Sequence, residues 1–346
     1  MSDPQLSERE RRVLEAVIRA YVETAEPAGS RMISRSSGLG VSAATIRNTM
    51  SDLEDKGFLF HPHTSAGRVP TDMAYRVYVN SLMRVLPLDA EARDRLVGEL
   101  AAGGSAIDTI IRRSAQTLGV LTQELGVALG PQFEELRLQR MELIRLSSER
   151  LLLVLRLMGG AAHTIFVEAP GEVPETAIAI VSLVLNERLA GLTLREVRST
   201  LPERLRDTAA PDEARELLNI FIQEGDQIFD VPGPLRHDVV LGQASVLAEQ
   251  PEFASSERLR KLLELTDQPR ALGDLLRKRS RHPGLSISIG REHEDPSLSE
   301  LTVVTAEYRI GGLTGVIGVI GPTRMPYDKV VSLVTHTSRL ITDLLT

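Results

Sequence analysis

Arg47 and Asn48 stand side by side in the run VSAATIRNTMSDLED, and both carry planar, forked hydrogen-bonding groups. An Arg fork fits O6 and N7 of guanine, and an Asn amide pairs bidentately with adenine. Around them Ser42, Ala43, Ala44, Thr45 and Ser51 are small, which lets a backbone approach a base edge closely. The turn HTSAGR follows, with His63, Thr64, Ser65, Gly67 and Arg68. There Gly67 can adopt φ > 0 and Arg68 can reach a phosphate. The chemistry on offer is recognition of a nucleic acid, with Arg47 and Asn48 reading bases and Arg68 holding the backbone.

These residues need a helix and a hairpin to place them. Ser42 is a good N-cap, and Ile46, Met50 and Leu53 recur at the spacing of a buried helical stripe. Turning 100° per residue puts Ala44, Asn48, Ser51 and Asp55 on the opposite face, with Arg47 and Thr45 on its flanks. Gly57 ends the helix, and Phe58 to Phe60 and Val69 flank the turn. Upstream, Ser7 and Glu10 make a capping box before an apolar face of Val13, Leu14, Val17, Ile18 and Tyr21. Pro27 and Gly29 interrupt it, Ser30 can cap a short second helix through Met32 and Ile33, and Gly38 and Gly40 form the next turn. The helix alone would suit any solvated surface. Three helices followed by a basic hairpin make a winged helix-turn-helix, and that order favours nucleic acid. A further helix from Thr71, with Tyr75, Tyr78, Val79 and Leu82 on one side, leads out of it.

The chain has 346 residues, enough for two or three domains, and no cysteine. Disulfides, Cys-ligated zinc and thiol chemistry are therefore excluded. Net charge is −7, but residues 1 to 84 hold 11 Arg and Lys against 10 Asp and Glu, so the acidity lies beyond them. An acidic bulk disfavours indiscriminate adhesion to DNA and leaves binding to a local patch. The polar start, MSDPQLSERERR, precedes no apolar run long enough for a signal or a membrane span, so a cytoplasmic protein is expected.

Beyond Pro87 a short charged helix at 89 to 100 and an Ala/Gly run at 101 to 104 read as a linker. Ile107, Ile110, Ile111, Ser114, Leu118, Leu121 and Leu125 then predict a long amphipathic helix stopped by Gly130-Pro131, suited equally to a sheet or to a dimer seam. Strands are expected at Met141 to Leu146, Leu151 to Leu157 and Ala162 to Val167. Helical spacing returns from Glu175 through Phe221 and again over Leu259 to Leu276. Strands recur at Leu285 to Ile289, Leu301 to Arg309 and Leu313 to Ile320, and a last helix from Pro326 turns Val330, Val334, Ile341 and Leu344 inward. Strands at both ends with helices between suggest one α+β domain carrying an insertion. Other chemical signals are weak. Gly312, Gly315, Gly318 and Gly321 lack phosphate-loop order and suit close strand packing better. His61 and His63 are poorly spaced for one metal, and His293, Glu294 and Asp295 precede Pro296 in a polar turn. No hydrolase elbow, zinc-protease or Walker sequence is present, so no enzyme and no cofactor is expected.

The chain resembles the heat-inducible transcription repressor HrcA family. The likeness is carried by SERERRVLEAVIRAYVETAEPAGSR, by the stretch from VSAATIRNTM through HTSAGRVPTDMAYRVYVNSLM, by LNERLAGLTLREV, and by GGLTGVIGVIGPTRMPYDKV. Departures are Ala28, Thr49 and Ala74, where the family commonly has Val, Glu and Gly. The resemblance implies a multidomain α+β protein: a winged helix-turn-helix over 1 to 85, a linker helix region over 86 to 104, and a GAF-like domain in two segments. The change of period sets those segments at 105 to 169 and 237 to 346, with the mainly helical dimerising domain that the resemblance implies inserted at 170 to 236. It further implies a homodimer that represses chaperone operons through an inverted-repeat (CIRCE) operator, is released on heating, and depends on a GroEL-type chaperonin. The competing expectation is a ligand-responsive transcription factor with a small effector in the GAF-like domain.

Overall fold

The computed structural model describes residues 6–62, 67–85, 87–101, 107–131, 135–158, 162–169, 171, 173–208, 210–229, 239–280, 284–310 and 313–345. They form a multidomain α+β chain that divides into two compact units.

The first unit comprises residues 1–129, 239–307 and 316–341. It opens with α1 (Glu8–Thr24), α2 (Ser30–Ser36) and α3 (Ala43–Asp55). Val13, Leu14, Val17 and Ile18 of α1, Ile33 of α2, and Ile46, Met50 and Leu53 of α3 are all buried, as their helical spacing requires. The Ser7–Glu10 capping box is formed, and Glu10 also accepts from Lys56 Nζ at 2.7 Å, tying the start of α1 to the end of α3. α3 closes with Gly57 at φ +80 and with Phe58 N–H donating to the Leu53 carbonyl at 2.9 Å. That is the left-handed stop only glycine adopts freely. Two short strands, β1 (Leu59–Phe60) and β2 (Val69–Pro70), pair antiparallel. Thr71 then caps α4 (Asp72–Val77), which runs on as a π-helical turn, Tyr78–Leu82, and α5 (Ala90–Ala101) follows.

α6 (Ile107–Thr122) is shorter than its periodicity predicts. Gln123 adopts φ +59, and Leu125–Leu129, expected to extend the helix, is a strand, β3. The run LGVAL is apolar throughout and too short to show a period, so distant partners decide its conformation. Those partners are β10 (Leu313–Pro322) and β7 (Val239–Leu241), both antiparallel to it. With β8 (Leu285–Ile289) and β9 (Leu301–Ile310) they complete a sheet of order β7-β3-β10-β9-β8. Leu125, Val127, Val303, Val316 and Ile320 share a core with Leu247 of α10 (Ser245–Ala248), Phe253, and Leu272 and Leu276 of α12 (Pro269–Ser280), and Leu259 of α11 (Ser256–Thr266) packs against it. The Ile110, Ile111, Ser114 and Leu118 stripe of α6 is buried within this unit, so it is not a free dimer seam. α13 (Tyr327–Leu345) buries Val330, Val334 and Ile341, whereas Leu344, expected inward, is 44% exposed near the chain end. A Cβ at Gly318 would strike the Val304 carbonyl and one at Gly321 the Glu124 carboxylate, so these glycines serve close strand packing. Gly312 lies outside the described residues.

The second unit comprises residues 130–238, 308–315 and 342–346. The strands expected to share the C-terminal hairpin's sheet instead make one of their own: β4 (Leu138–Arg145), β5 (Arg150–Leu157) and β6 (Ala162–Glu168). One face packs on α7 (Glu175–Leu189), α8 (Leu194–Arg206) and α9 (Asp212–Ile228), through Met141, Leu153, Val167, Val181, Leu185, Leu201 and Phe221. The Asn186 side chain accepts from Met141 N–H at 2.8 Å and donates to the Met141 carbonyl at 2.7 Å, closing the outer edge of β4. Period-two alternation binds strands to the nearest apolar surface, and here that surface is the following helices.

The Glu10–Lys56 contact gives a pH-dependent prediction. The hydrogen bond from Lys56 is the chief cause holding the Glu10 carboxyl below its ordinary value of 4.5. A depressed carboxylate stabilises the fold above its unfolded value and loses that contribution as pH falls through the folded one. Glu10→Gln should therefore cost about 1 kcal/mol or less near neutrality and nothing at the acid end. Thermal unfolding of both proteins across the acid range measures the convergence.

Candidate nucleic-acid interface

The Ser42 hydroxyl accepts the Thr45 N–H at 3.1 Å and so starts α3. Ser42, Ala44, Arg47, Asn48 and Ser51 are exposed along one side, with Ala43 and Thr45 half-buried beside them. Thr49 faces the core, and its hydroxyl donates to the Thr45 carbonyl at 3.1 Å. A residue there is buried, so the missing family glutamate takes no charge from the exposed face. No acidic side chain among the described residues engages Arg47, so its guanidinium is available to a ligand.

Charge along α3 is graded. The first half carries Arg47 and the positive end of the helix dipole, and the last turns carry Asp52, Glu54 and Asp55. A polyanion is favoured at the first half and repelled from the second. Acidic groups at a helix C-terminus oppose the dipole, and Glu54 is compensated locally. Its Oε2 lies 2.6 Å from Arg68 Nη2 and its Oε1 shares a 2.9 Å hydrogen bond with His61 Nδ1.

This pairing corrects the expectation for the hairpin. The Arg68 side chain is only 14% exposed, and its backbone exchanges hydrogen bonds of 2.8 and 2.9 Å with Ala28. With Glu54 so close, the guanidinium anchors β2 to the end of α3 instead of projecting toward a phosphate. Gly67 is not required for a positive φ either. A Cβ there would run into the Ala28 carbonyl, so the need is for close backbone approach. His63, Thr64 and Ser65 lie outside the described residues.

Arg31 and Arg35 are exposed one turn apart on α2, which packs against α3, and no acidic side chain among the described residues meets them. Their i, i+4 spacing in SRMISRS was visible in the sequence, where Met32 and Ile33 alone attracted notice as core. An exposed pair of cations one turn apart attracts a polyanion whatever its sequence.

Among the described residues no other cluster competes. His293 Nε2 is hydrogen-bonded to the Leu301 carbonyl at 3.2 Å, Glu294 pairs with Lys278 at 2.6 Å, and Asp295 caps the turn at Pro296–Leu298. Among the described residues no three His, Asp or Glu side chains are placed to share a metal. A depression of about 180 Å³ lined by Arg95, Glu99, Arg113, Gln116, Thr117, Val120 and Gln243 falls below the usual size of a small-molecule site. Among the described residues no helix is long and apolar enough to cross a membrane.

A three-helix head that displays a polar, capped helix on a larger α+β body is the build of a DNA-binding transcription regulator. Residues 108–331 match the family model described as the HrcA protein C terminal domain. The chain is 40% identical to the heat-inducible transcription repressor HrcA of Chlorobium phaeobacteroides (strain BS1), over 96% of each sequence. It is 37% identical to the repressor of the same name from Geobacter sulfurreducens, over 98% of each. It belongs to the HrcA family. A crystal structure described as that of a hypothetical protein shares the fold at a TM-score of 0.63 and 22% identity, over 99% of both chains.

The Arg47 and Arg68 environments predict different outcomes. Arg47→Ala should cost about 1 to 3 kcal/mol on an operator and relax sequence preference. Arg31→Ala and Arg35→Ala should each lower the salt slope by about 0.9 on any duplex. Arg68→Ala should act through stability, lowering the melting temperature with no effect on the salt slope. Anisotropy titrations at several salt concentrations on operator and random duplexes, with calorimetry of each variant, separate the three. Equal loss on both duplexes for Arg47→Ala removes it from base reading.

Proposed function

We propose that this chain represses transcription of heat-shock chaperone operons as a homodimer bound to an inverted-repeat operator of the CIRCE type, and leaves the operator on heating. The observation that carries the reading is the exposed, unengaged Arg47–Asn48 pair at the start of α3, in a chain that matches heat-inducible repressors along its whole length. In this reading residues 1 to 85 are a winged helix-turn-helix and the five-stranded sheet with its helices is a GAF-like domain. The second unit is the inserted dimerising domain, and the three strands of its sheet make it larger than the helices at 170 to 236 alone. The protein is non-enzymatic and cytoplasmic, and a GroEL-type chaperonin assists it.

The uncovered face of the β4-β5-β6 sheet supports the dimer. Ile144, Leu152 and Phe166 form one cross-strand row, and Ile144 and Phe166 are 46% and 67% exposed. Val154 lies beside them between Glu142 and Thr164, with Arg140 and Arg156 toward one end and Arg150 opposite Glu168 at the other. Heat release is ascribed to the five-stranded sheet, in which β3 must find β7 and β10, both remote in sequence, so that it refolds slowly and with apolar strands exposed.

A gel-shift titration with an inverted-repeat duplex at two temperatures, with and without chaperonin, tests target, heat response and partner together. Tight binding at the lower temperature and loss at the higher is expected, with chaperonin restoring active repressor after heating. Indifference to the inverted repeat overturns the operator reading. Phe166→Asp should convert the chain to monomer in sedimentation at micromolar concentration; a variant that stays dimeric moves the interface elsewhere.

A further inference from the structure

Arg324 and Tyr327 belong to the string IGPTRMPY, far from the exposed face of α3 in sequence, and operator contact gives them no role. Both lie against the N-terminal helices. Arg324 Nη1 donates to the Val22 carbonyl at 2.7 Å, in the last turn of α1. That turn contains no basic residue, so Arg324 supplies the cation its free carbonyls favour. The rest of the guanidinium is held by Glu252, through Nη2 to Oε2 at 3.0 Å and through Nε to Oε1. The Tyr327 ring is fully buried, 5.6 Å from Tyr75 and 6.5 Å from Tyr78 between centroids, and its hydroxyl bonds Thr302 and the Thr323 carbonyl.

A second contact fixes α4. Arg76 Nε donates to Glu292 Oε1 at 2.7 Å, Nη2 pairs with Oε2, and Nη2 also donates at 2.8 Å to the Ile287 carbonyl on the open edge of β8. Asp72 accepts from Arg291 N–H at 3.0 Å. The two helices that precede and follow the α2–α3 and hairpin segment are each bolted to the five-stranded sheet and its flanking turns.

We infer that Arg324 and Arg76 are positioning residues for operator binding: they make the reading head one body with the sheet domain, which removes one joint from the path between the dimer's two heads. The inference rests on the dimeric, inverted-repeat reading above. A head swinging on residues 83 to 89 would accept many half-site spacings. A bolted head accepts fewer, and rotating a half-site by half a helical turn weakens its contribution.

Two measurements test this, one of them without DNA. Binding is measured to duplexes whose half-sites are separated by the native spacer, by two more base pairs and by five more, and to a duplex with one half-site. The parent protein should lose about 10²-fold in affinity at five added base pairs. Arg324→Ala and Arg76→Ala should bind the single half-site as the parent does, bind the native spacing more weakly, and show a nearly flat dependence on spacer. Arg324→Lys keeps the charge without the fork and should fall between. Because the chain has no cysteine, Ser36→Cys and Gln268→Cys can carry spin labels, with unlabelled chain added to isolate distances within one subunit. One narrow distance is expected in the parent background and a broad distribution in the Arg76→Ala, Arg324→Ala double variant. A narrow distribution in the double variant overturns the inference, as does a spacer profile as steep as the parent's. If the parent ignores inverted repeats altogether, the operator reading fails, and the label distances still decide whether the head is bolted.

Discussion

β3 is five residues long and wholly buried, and its ladder partners are β10 on one side, with Val127 opposite Gly318, and β7 on the other, with Val127 opposite Leu241. Until both distant segments arrive, this apolar run has unsatisfied backbone groups on each edge. The pairing also dictates chain organisation. Residues 130 to 238 leave β3 and return to its neighbour β7, so they close a loop whose ends are fixed one ladder spacing apart. Loop-closure cost grows only slowly with length, which is why a segment large enough to have its own sheet and three-helix core can be accommodated there.

The same sheet determines where the last helix begins. β10 ends at Pro322, and the turn into α13 brings Arg324 and Tyr327 to the tyrosines of α4 and the end of α1. A cation at a helix C-terminus and a cluster of buried rings are short-range contacts that hold orientation as well as proximity. The position of the α3 face is thus a consequence of a sheet in which it takes no part.

Arginine is the dominant cation in this chain, and its roles separate by what lies beside each guanidinium. Arg68, Arg76 and Arg324 are held by Glu54, Glu292 and Glu252, with backbone carbonyls completing the last two. Arg31, Arg35 and Arg47 are exposed and meet no carboxylate among the described residues. Arg76 and Arg324 fix geometry through planar, bidentate contacts that Lys could not reproduce, and Arg68 through a single contact to Glu54. The exposed group remains for a polyanion.

Local rules settled a good deal of this from the sequence. Capping at Ser7 and Ser42, the Ile46, Met50 and Leu53 stripe and the glycine stop at Gly57 each depend on neighbours within one or two turns, and each was readable in advance. So was the exposure of Arg47 and Asn48, because a helix with one buried stripe must show its other side. What the sequence could not contain was the choice of distant partner. Whether LGVAL extended a helix or became a strand, whether β4, β5 and β6 joined the C-terminal sheet, and whether Arg68 met a phosphate or Glu54 were decided by surfaces and charges brought together from elsewhere in the chain. Period and capping are properties of adjacent residues. Ladder partners, buried faces and ion pairs are properties of space, and only the folded chain supplies them.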